Sequence, residues 1–492
     1  MPVQSVIARR RLTMVEVPEV LGVVLAVGRA VPVWLGGEPL VLPEQVPSGL
    51  PQDAARRLAA ILAERRPGAG LSSPSGSGKG VVPVAAVVVP READLVLDIA
   101  ECDRLIAFLD AVPDRRKRRG RRYRLSSVLA VAVLAMMAAD RQVASMGEWV
   151  ATAPASLLIA LGAWTDRRGR VQRPNAATIN RGLAAGGDDL DRALCAWVGA
   201  MRRTEQHARG RLRYRSLHVD GKVVKKAGKK DERAPMLLSV RADDGTVAAQ
   251  LPIDTKTNEI PMFAPLLDRV DDITDTVVTA DQLHTQRAHA TYLHQRGAHY
   301  VFTVGGNQPK LYAALDELPW QQIAIEDATA DRGHGRIEVR TIKTLPVTEH
   351  IRTLFPHVEQ AFLLERHIYA QDGTLQGAVA VLGITSLPAD HADGAAIAAY
   401  VRGHWSVESL HWLRDVTFGE DNSTVTSAYQ AMAAIRNLVI GICSLRGIRN
   451  LARQLRACHR DPYRLPLFLM GLMKPNPHHT ATQTRPSSRS DT

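Results

Sequence analysis

Two short apolar runs, SLHVD and TVVTAD, each end on an aspartate, Asp220 and Asp281, and this pair limits most what the chain can fold into. Runs rich in β-branched and aliphatic residues read as buried strands. An acid at the carboxyl end of each faces one crevice when the two strands are neighbours in a sheet. Around them lie MLLSVRADDGTVAAQLPIDT, two strands joined by an Asp-Asp-Gly turn, and IPMFAPLLDRV, with helical spacing. AHATYLHQRGA is again helical and HYVFTV is a strand. From about residue 206 the order is strand, strand, strand, helix, strand, helix, strand, which suits a mixed sheet covered by helices.

That order is the ribonuclease-H-like one. The fold class expected is therefore α/β, a ribonuclease-H-like mixed sheet with an inserted β-rich segment and a helical domain before it. Residues 1–95, rich in Val, Pro, Gly and Ala, form an N-terminal extension of unknown role. Their SGSGKG stretch is not a phosphate loop, because Ser73 and Gly80 stand where that loop needs Gly and Ser or Thr. Residues 96–205 read as a helical, basic, DNA-binding domain; within them PNAATINRGLAA is a loop entering a helix with Thr178 as its N-cap. The core spans 206–445, with short strands such as IEVRTIK, AFLLERHIYA and AVAVLGIT inserted at about 306–392. Residues 446–492 form a basic, largely disordered tail, starting with the helix LARQLRACHR.

The net charge of +12 and pI near 9.8 call for a polyanionic partner. Charge is densest at DRRKRRGRRYR, Asp114 to Arg124, with eight Lys or Arg in eleven positions. Such a block repels itself unless it is solvated or laid on phosphates. The phosphate reading makes Arg115, Arg116, Lys117, Arg118, Arg119, Arg121 and Arg122 DNA-binding residues. Four dispersed cysteines without a CxxC pair exclude a disulfide framework and a cysteine zinc site. Leu125 to Ala139 is apolar but shorter than the roughly 18–20 residues of a membrane span. It reads as a buried helix, and the chain as cytoplasmic and nucleoid-associated, with no membrane partner.

Cutting a phosphodiester means attacking a negatively charged centre and expelling a poor alkoxide. Two Mg²⁺ ions roughly 3.5–4 Å apart meet both difficulties, and Mg²⁺ takes carboxylate oxygens. About three acids converging on one sheet edge are then needed. Asp220 and Asp281 close strands, and Glu408 lies on a late helix, AAIAAYVRGHWSVESLHWLRDVTF, able to pack over that edge.

The motifs HVDGKVVKKA, TKTNEI, VTADQLHTQ, GNQPKL, DRGHGRIEVR and RGHWSVESLHWLRDVTFGEDNS follow one another in order. In order and rough spacing they resemble the insertion-sequence DDE transposases of the ISAs group, which include the H-repeat-associated proteins; the resemblance covers about residues 96–445. It implies that Asp220, Asp281 and Glu408 are catalytic and bind metal, two Mg²⁺ with Mn²⁺ able to substitute. It implies terminal inverted repeats and a target duplex as partners, bound by a homodimer. Lys222, Lys225 and Lys226 are read as phosphate contacts and Arg402 as a grip on the scissile backbone. Lys256, Asn258 and Glu259 sit in a loop or helix start nearby. Trp405 stacks on a base or, the favoured reading, fills the core. His284, His334 and His411 are motif residues equally readable as structural, and Asp415, Glu420 and Asp421 are read as surface acids. Two departures stand out. Only Ser409 separates Glu408 from LHW, one residue fewer than the family pattern, and Gly305 and Gly306 precede Asn307 where Lys is usual. The function expected is DNA strand cleavage and transfer moving an insertion sequence. The alternatives are a catalytically decayed, transposase-derived DNA-binding protein or repressor, and a nuclease that cuts without joining.

Overall fold

The computed structural model describes residues 34–35, 38–39, 100–138, 141–204, 212–228, 233–254, 257–333, 335–462 and 465. Lys256, His334, the tail from about 474 and, apart from a two-residue ladder, the 1–95 extension lie outside the described residues. The chain divides into two compact units, one of residues 1–110, 116–179 and 452–492, the other of 111–115 and 180–451.

In the first unit the helices are α1 (Ala100–Asp110), α2 (Leu125–Met137), α3 (Val143–Thr152) and α4 (Ala155–Ala160). All of α2, LSSVLAVAVLAMM, is buried, as a helix apolar on every side must be. Among the described residues no helix is long and apolar enough to cross a membrane. The next helix, α5 (Ala176–Thr204), starts one turn earlier than expected. Asn175 Oδ1 accepts from Thr178 N at 2.9 Å, so Asn175 is the cap and Thr178 lies inside the first turn. The boundary between the units falls within α5.

The second unit is built on nine strands: β1 (Arg215–Val223), β2 (Met236–Ala242), β3 (Val247–Ile253), β4 (Thr276–Ala280), β5 (His299–Thr303), β6 (Asp327–Gly333), β7 (Arg336–Pro346), β8 (Gln360–Ala370) and β9 (Leu375–Thr385). They form one sheet in the order β3-β2-β1-β4-β5-β9-β8-β7-β6. β1, β4 and β5 are parallel and the other pairings antiparallel. The first five strands, ordered 3-2-1-4-5, make the ribonuclease-H-like sheet. The inserted strands are no separate layer, because β9 pairs with β5 through Gly383↔Thr303 and extends the same sheet.

One face packs under α6 (Phe263–Leu267), α7 (Arg287–Gln295), α8 (Pro309–Asp316) and α9 (Glu349–Leu354), through Val219, Leu238, Phe263, Leu293, Phe302 and Phe355. The other face carries α10 (Gly394–Trp412), seated through Ile397 and Tyr400 on Val277, Val301 and Phe362. Beside it α11 (Tyr429–Leu445) covers Leu237 through Ala433. Asp393 Oδ1 caps α10 by accepting from Ala396 N at 2.9 Å. A last helix, α12 (Leu451–Arg460), belongs almost wholly to the first unit, where the His459 ring lies 2.9 Å from the Ala138 carbonyl.

Between α10 and α11 the chain forms a π-helical turn, Leu413–Thr417, and a 3₁₀ turn, Glu420–Asn422. Glu420 corrects the surface reading. It is fully buried, and its two oxygens accept from Arg414 Nε and Arg436 Nη1, each at 2.8 Å. Both guanidiniums are themselves buried. Replacing Glu420 with Ala strands two buried cations, so the urea midpoint should fall by the equivalent of about 3–5 kcal/mol; an unchanged midpoint would show that the network does not hold this segment.

Candidate active site

β1 and β4 pair in parallel register with Val219 opposite Ala280. Neighbouring strands lie about 4.8 Å apart, and the next residue on each is the acid, Asp220 or Asp281. Asp281 is exposed and turns the chain into the 3₁₀ turn Gln282–His284, its Oδ1 accepting from Leu283 N at 3.1 Å. Glu408 is exposed on α10. Asp220 is the sheltered member. Burial raises its pKa from the usual 3.8 to about 7; the Gly221 N–H opposes the rise, and the charges of Glu259, Asp281 and Glu408 add to it.

Glu259 is a fourth carboxylate of this group, and sequence reading gave it no catalytic role. It reaches Asp220 because the residue after Asp220 is glycine: a Cβ on Gly221 would stand 2.5 Å from Glu259 Oε1 and 2.6 Å from Met236 Cε. Glu259 Oε2 also lies 3.3 Å from Nε2 of the fully buried His284. The TKTNEI motif and the Gly of DGK are thus halves of one contact. In this arrangement no three His, Cys, Asp or Glu side chains among the described residues are grouped closely enough to hold a metal ion. The donors nevertheless suit Mg²⁺ or Mn²⁺ in kind, since all four are carboxylates. Their repulsion at Asp220 is what a cation would relieve.

α10 is held against the sheet by close contact. A Cβ on Gly403 would meet His218 Cε1 at 2.7 Å, so the Gly of RGHW lets the helix touch β1. There a buried chain of polar groups crosses from sheet to helix. His218 lies 3.2 Å from Ser216 Oγ and 2.7 Å from Thr279 Oγ1, which lies 3.2 Å from His404 Nδ1. Burial lowers the pKa of His218 to about 3 and of His404 to about 4, so both rings are neutral. Farther along, the half-buried Trp405 carries the guanidiniums of Arg340 and Arg366 at 5.2 and 5.6 Å from its ring. Both arginines bind Glu338, which ties α10 to β7 and β8. Arg402 donates to Thr329 Oγ1 on β6 at 2.6 Å.

α10 runs unbroken through Ser409 to Trp412, and beyond Ser409 His411 approaches Asp220 and Asp415 approaches Lys222. His411 Nδ1 lies 3.4 Å from Asp220 Oδ2, and burial lowers its pKa to about 3. Lys222 is buried, with its ammonium 2.8 Å from Asp415 and 3.5 Å from Asp421, and so faces carboxylates rather than solvent. Lys225 is exposed and 2.7 Å from Asp421; Lys226 donates to Asn422 at 3.0 Å. The GGNQ loop closes on the turn after Asp281, where Gln308 Nε2 donates to the Thr285 carbonyl at 2.9 Å. In the basic block Arg115 pairs with Asp189 at 2.7 Å, and Arg116 is buried and donates to the Tyr123 carbonyl. Lys117, Arg118, Arg119, Arg121 and Arg122 are exposed.

Two outcomes follow. Asp220 favours folding most below 3.8, and that contribution is lost as pH rises through about 7. A carbon-13 titration should find the Asp220 carboxyl near 7, and Glu259→Gln should lower it by removing a neighbouring negative charge; no change would remove Glu259 from the group. Gly403→Ala should cost about 1–3 kcal/mol in denaturant unfolding, since an imidazole wall must move; an undiminished midpoint would mean that α10 has slack over β1.

Residues 204–440 match the family described as Transposase DDE domain, and residues 106–198 match the one described as DDE_Tnp_1-associated. The protein YbfL of Escherichia coli (strain K12) is 25% identical over 278 residues, covering 52% of this chain and 71% of that protein. The H repeat-associated protein YhhI of the same strain is 24% identical over the same length, with the same coverage. A solved piggyBac transposase synaptic complex with hairpin DNA aligns over 75% of this chain and 78% of that one, at 12% identity and a TM-score of 0.32. One family is thus matched across the sheet unit and its companion across the helices before it, and the chain is similar to DDE transposases over both.

Proposed function

We propose that the chain is a DNA transposase that cuts the ends of an insertion sequence and joins them to a target duplex. The observation that carries this reading is the register that sets Asp220 and Asp281 next to each other on paired parallel strands, with Glu259 packed against Gly221. Asp220, Asp281 and Glu408, drawn closer than they stand here, would hold two divalent cations, Mg²⁺ with Mn²⁺ able to replace it. When bound, these supply Lewis acidity to the attacking and leaving oxygens. The exposure of Asp281 and Glu408 leaves the edge open to a duplex. Burial of Asp220 and the neutral histidines behind it fix the acids' framework.

The first step adds water oxygen to the phosphorus at the element's end; the 3′ oxygen leaves and takes up a proton, giving a 3′-hydroxyl and a 5′-phosphate. That hydroxyl then attacks a target phosphorus, losing its proton as the target's own 3′ oxygen departs. No covalent bond to the protein forms. Lys225 and Lys226 lie on the chain leaving β1 and meet phosphate there, while Lys222 steadies the segment carrying Asp415 and Asp421. Arg402 holds the scissile backbone after releasing Thr329. Two protomers pair the two terminal inverted repeats.

The test is cleavage of a labelled duplex carrying the ends that flank the gene, with and without Mg²⁺. Cleavage that needs metal and falls by at least about a hundredfold in Asp281→Ala, with duplex binding retained, is the expected result, on the scale of losing an electrostatic catalytic group. Binding with no cleavage would instead make the chain a transposase-derived DNA-binding protein. Cleavage without joining of pre-cut ends would make it a nuclease.

A further inference from the structure

The first unit brings together two basic segments, of which the sequence singled out one. The second is TDRRGRVQR, Thr165 to Arg173, a tight hairpin. Thr165 pairs with Val171, Gln172 N donates to the Trp164 carbonyl at 2.9 Å, and Asp166 N donates to the Arg170 carbonyl at 3.0 Å. Its acid is turned inward: the Asp166 carboxylate accepts from Arg168 N at 2.9 Å, Arg170 N at 3.0 Å and Arg170 Nε at 2.9 Å. Asp166 therefore shapes the turn and neutralises Arg170, while Arg167 and Arg168 stand exposed at the tip. Neither forms an ion pair with another described residue.

The hairpin is fixed beside the first basic segment. Tyr123 OH donates to the Arg173 carbonyl at 3.0 Å, and the Arg122 guanidinium lies 5.7 Å from the Trp164 ring. Arg173 Nη1 donates to the Ala153 carbonyl at 2.7 Å and anchors the base of the hairpin to the end of α3. Lys117, Arg118, Arg119 and Arg122 are thereby joined by Arg167 and Arg168, all exposed, on two tethered segments. We infer that Lys117–Arg122 and the Trp164–Arg173 hairpin form one two-pronged surface for the phosphate backbone of a DNA duplex. The inference rests on the reading of the chain as a protein that acts on DNA. A polyanion with regularly spaced charges offsets the mutual repulsion of such a group. Because the turn is already folded around Asp166, little ordering cost attends binding.

The experiment is fluorescence anisotropy of a short labelled duplex with the full chain across a salt series. Each phosphate contact contributes about 0.9 to the slope of log affinity against log salt. Arg167→Ala/Arg168→Ala should reduce the slope's magnitude by about 1.8, and Lys117→Ala/Arg118→Ala/Arg119→Ala by about 2.7. Arg167→Lys/Arg168→Lys should restore the slope, and thermal melting should show all three variants folded. An unchanged slope in Arg167→Ala/Arg168→Ala would overturn the hairpin's role while leaving DNA binding itself intact. A wild-type chain that binds no duplex at low salt would overturn the DNA reading and this surface with it. Tighter binding of a polyglutamate peptide than of the duplex, lost in the same variants, would replace DNA by an acidic protein as the occupant.

Discussion

Parallel pairing of β1 with β4 is the constraint on which the rest depends. With Val219 opposite Ala280 as the last parallel pair, Asp220 and Asp281 come next on adjacent strands; Asp220 does not close its strand as the sequence suggested, since β1 runs on to Val223 beside β2. Side-chain direction alternates along a strand, so slipping either strand by one residue would send its acid to the other face. The apolar alternation that buries Val219, Val278 and Ala280 therefore also fixes the acids. Burial, with the neighbouring carboxylates adding to it, raises the Asp220 pKa to about 7. The remainder of the sheet unit can be understood as what keeps these charges together.

Two devices serve that end. Glycine at 221 admits Glu259 and glycine at 403 admits His218, so the loop after β3 and the helix α10 both approach the sheet more closely than any side chain would permit. The inserted strands then grip α10 from outside, with Trp405 laid against arginines that Glu338 bridges. Extension of the sheet through β9 makes that grip rigid, since β7 and β8 are in hydrogen-bonded continuity with β5. The buried Arg414–Glu420–Arg436 group plays the same part below the site, because the segment it fixes carries Asp415 and Asp421, the partners of Lys222.

The fold was legible where the sequence pattern is local. SLHVD, TVVTAD and HYVFTV are apolar runs and became β1, β4 and β5; the Asp-Asp-Gly turn joins β2 and β3; α2 is buried as its uniform apolarity requires. What escaped notice depends on partners far away in the chain. β6, DATADRG, has no apolar alternation and exists because β7 pairs with it at the sheet edge. Glu420 looks like a surface acid among EDNS and is buried only because two arginines, one on the π turn and one on α11, close on it. Glu259 is unremarkable as a loop acid until Gly221 is placed beside it. α5 starts earlier than the sequence suggested because Asn175 Oδ1 accepts the Thr178 N–H and so caps the helix before Thr178.

Asp220 and the three carboxylates around it form the proposed cation site, with Asp220, Asp281 and Glu408 as its ligands. Crystals of the protein equilibrated with Mn²⁺ and measured at the manganese absorption edge would test it directly. Anomalous density between Asp220 and Asp281, with Glu408 or Glu259 drawn toward it and lost in Asp281→Ala, is the predicted result. Manganese bound elsewhere on the chain, with this edge of the sheet empty, would contradict it.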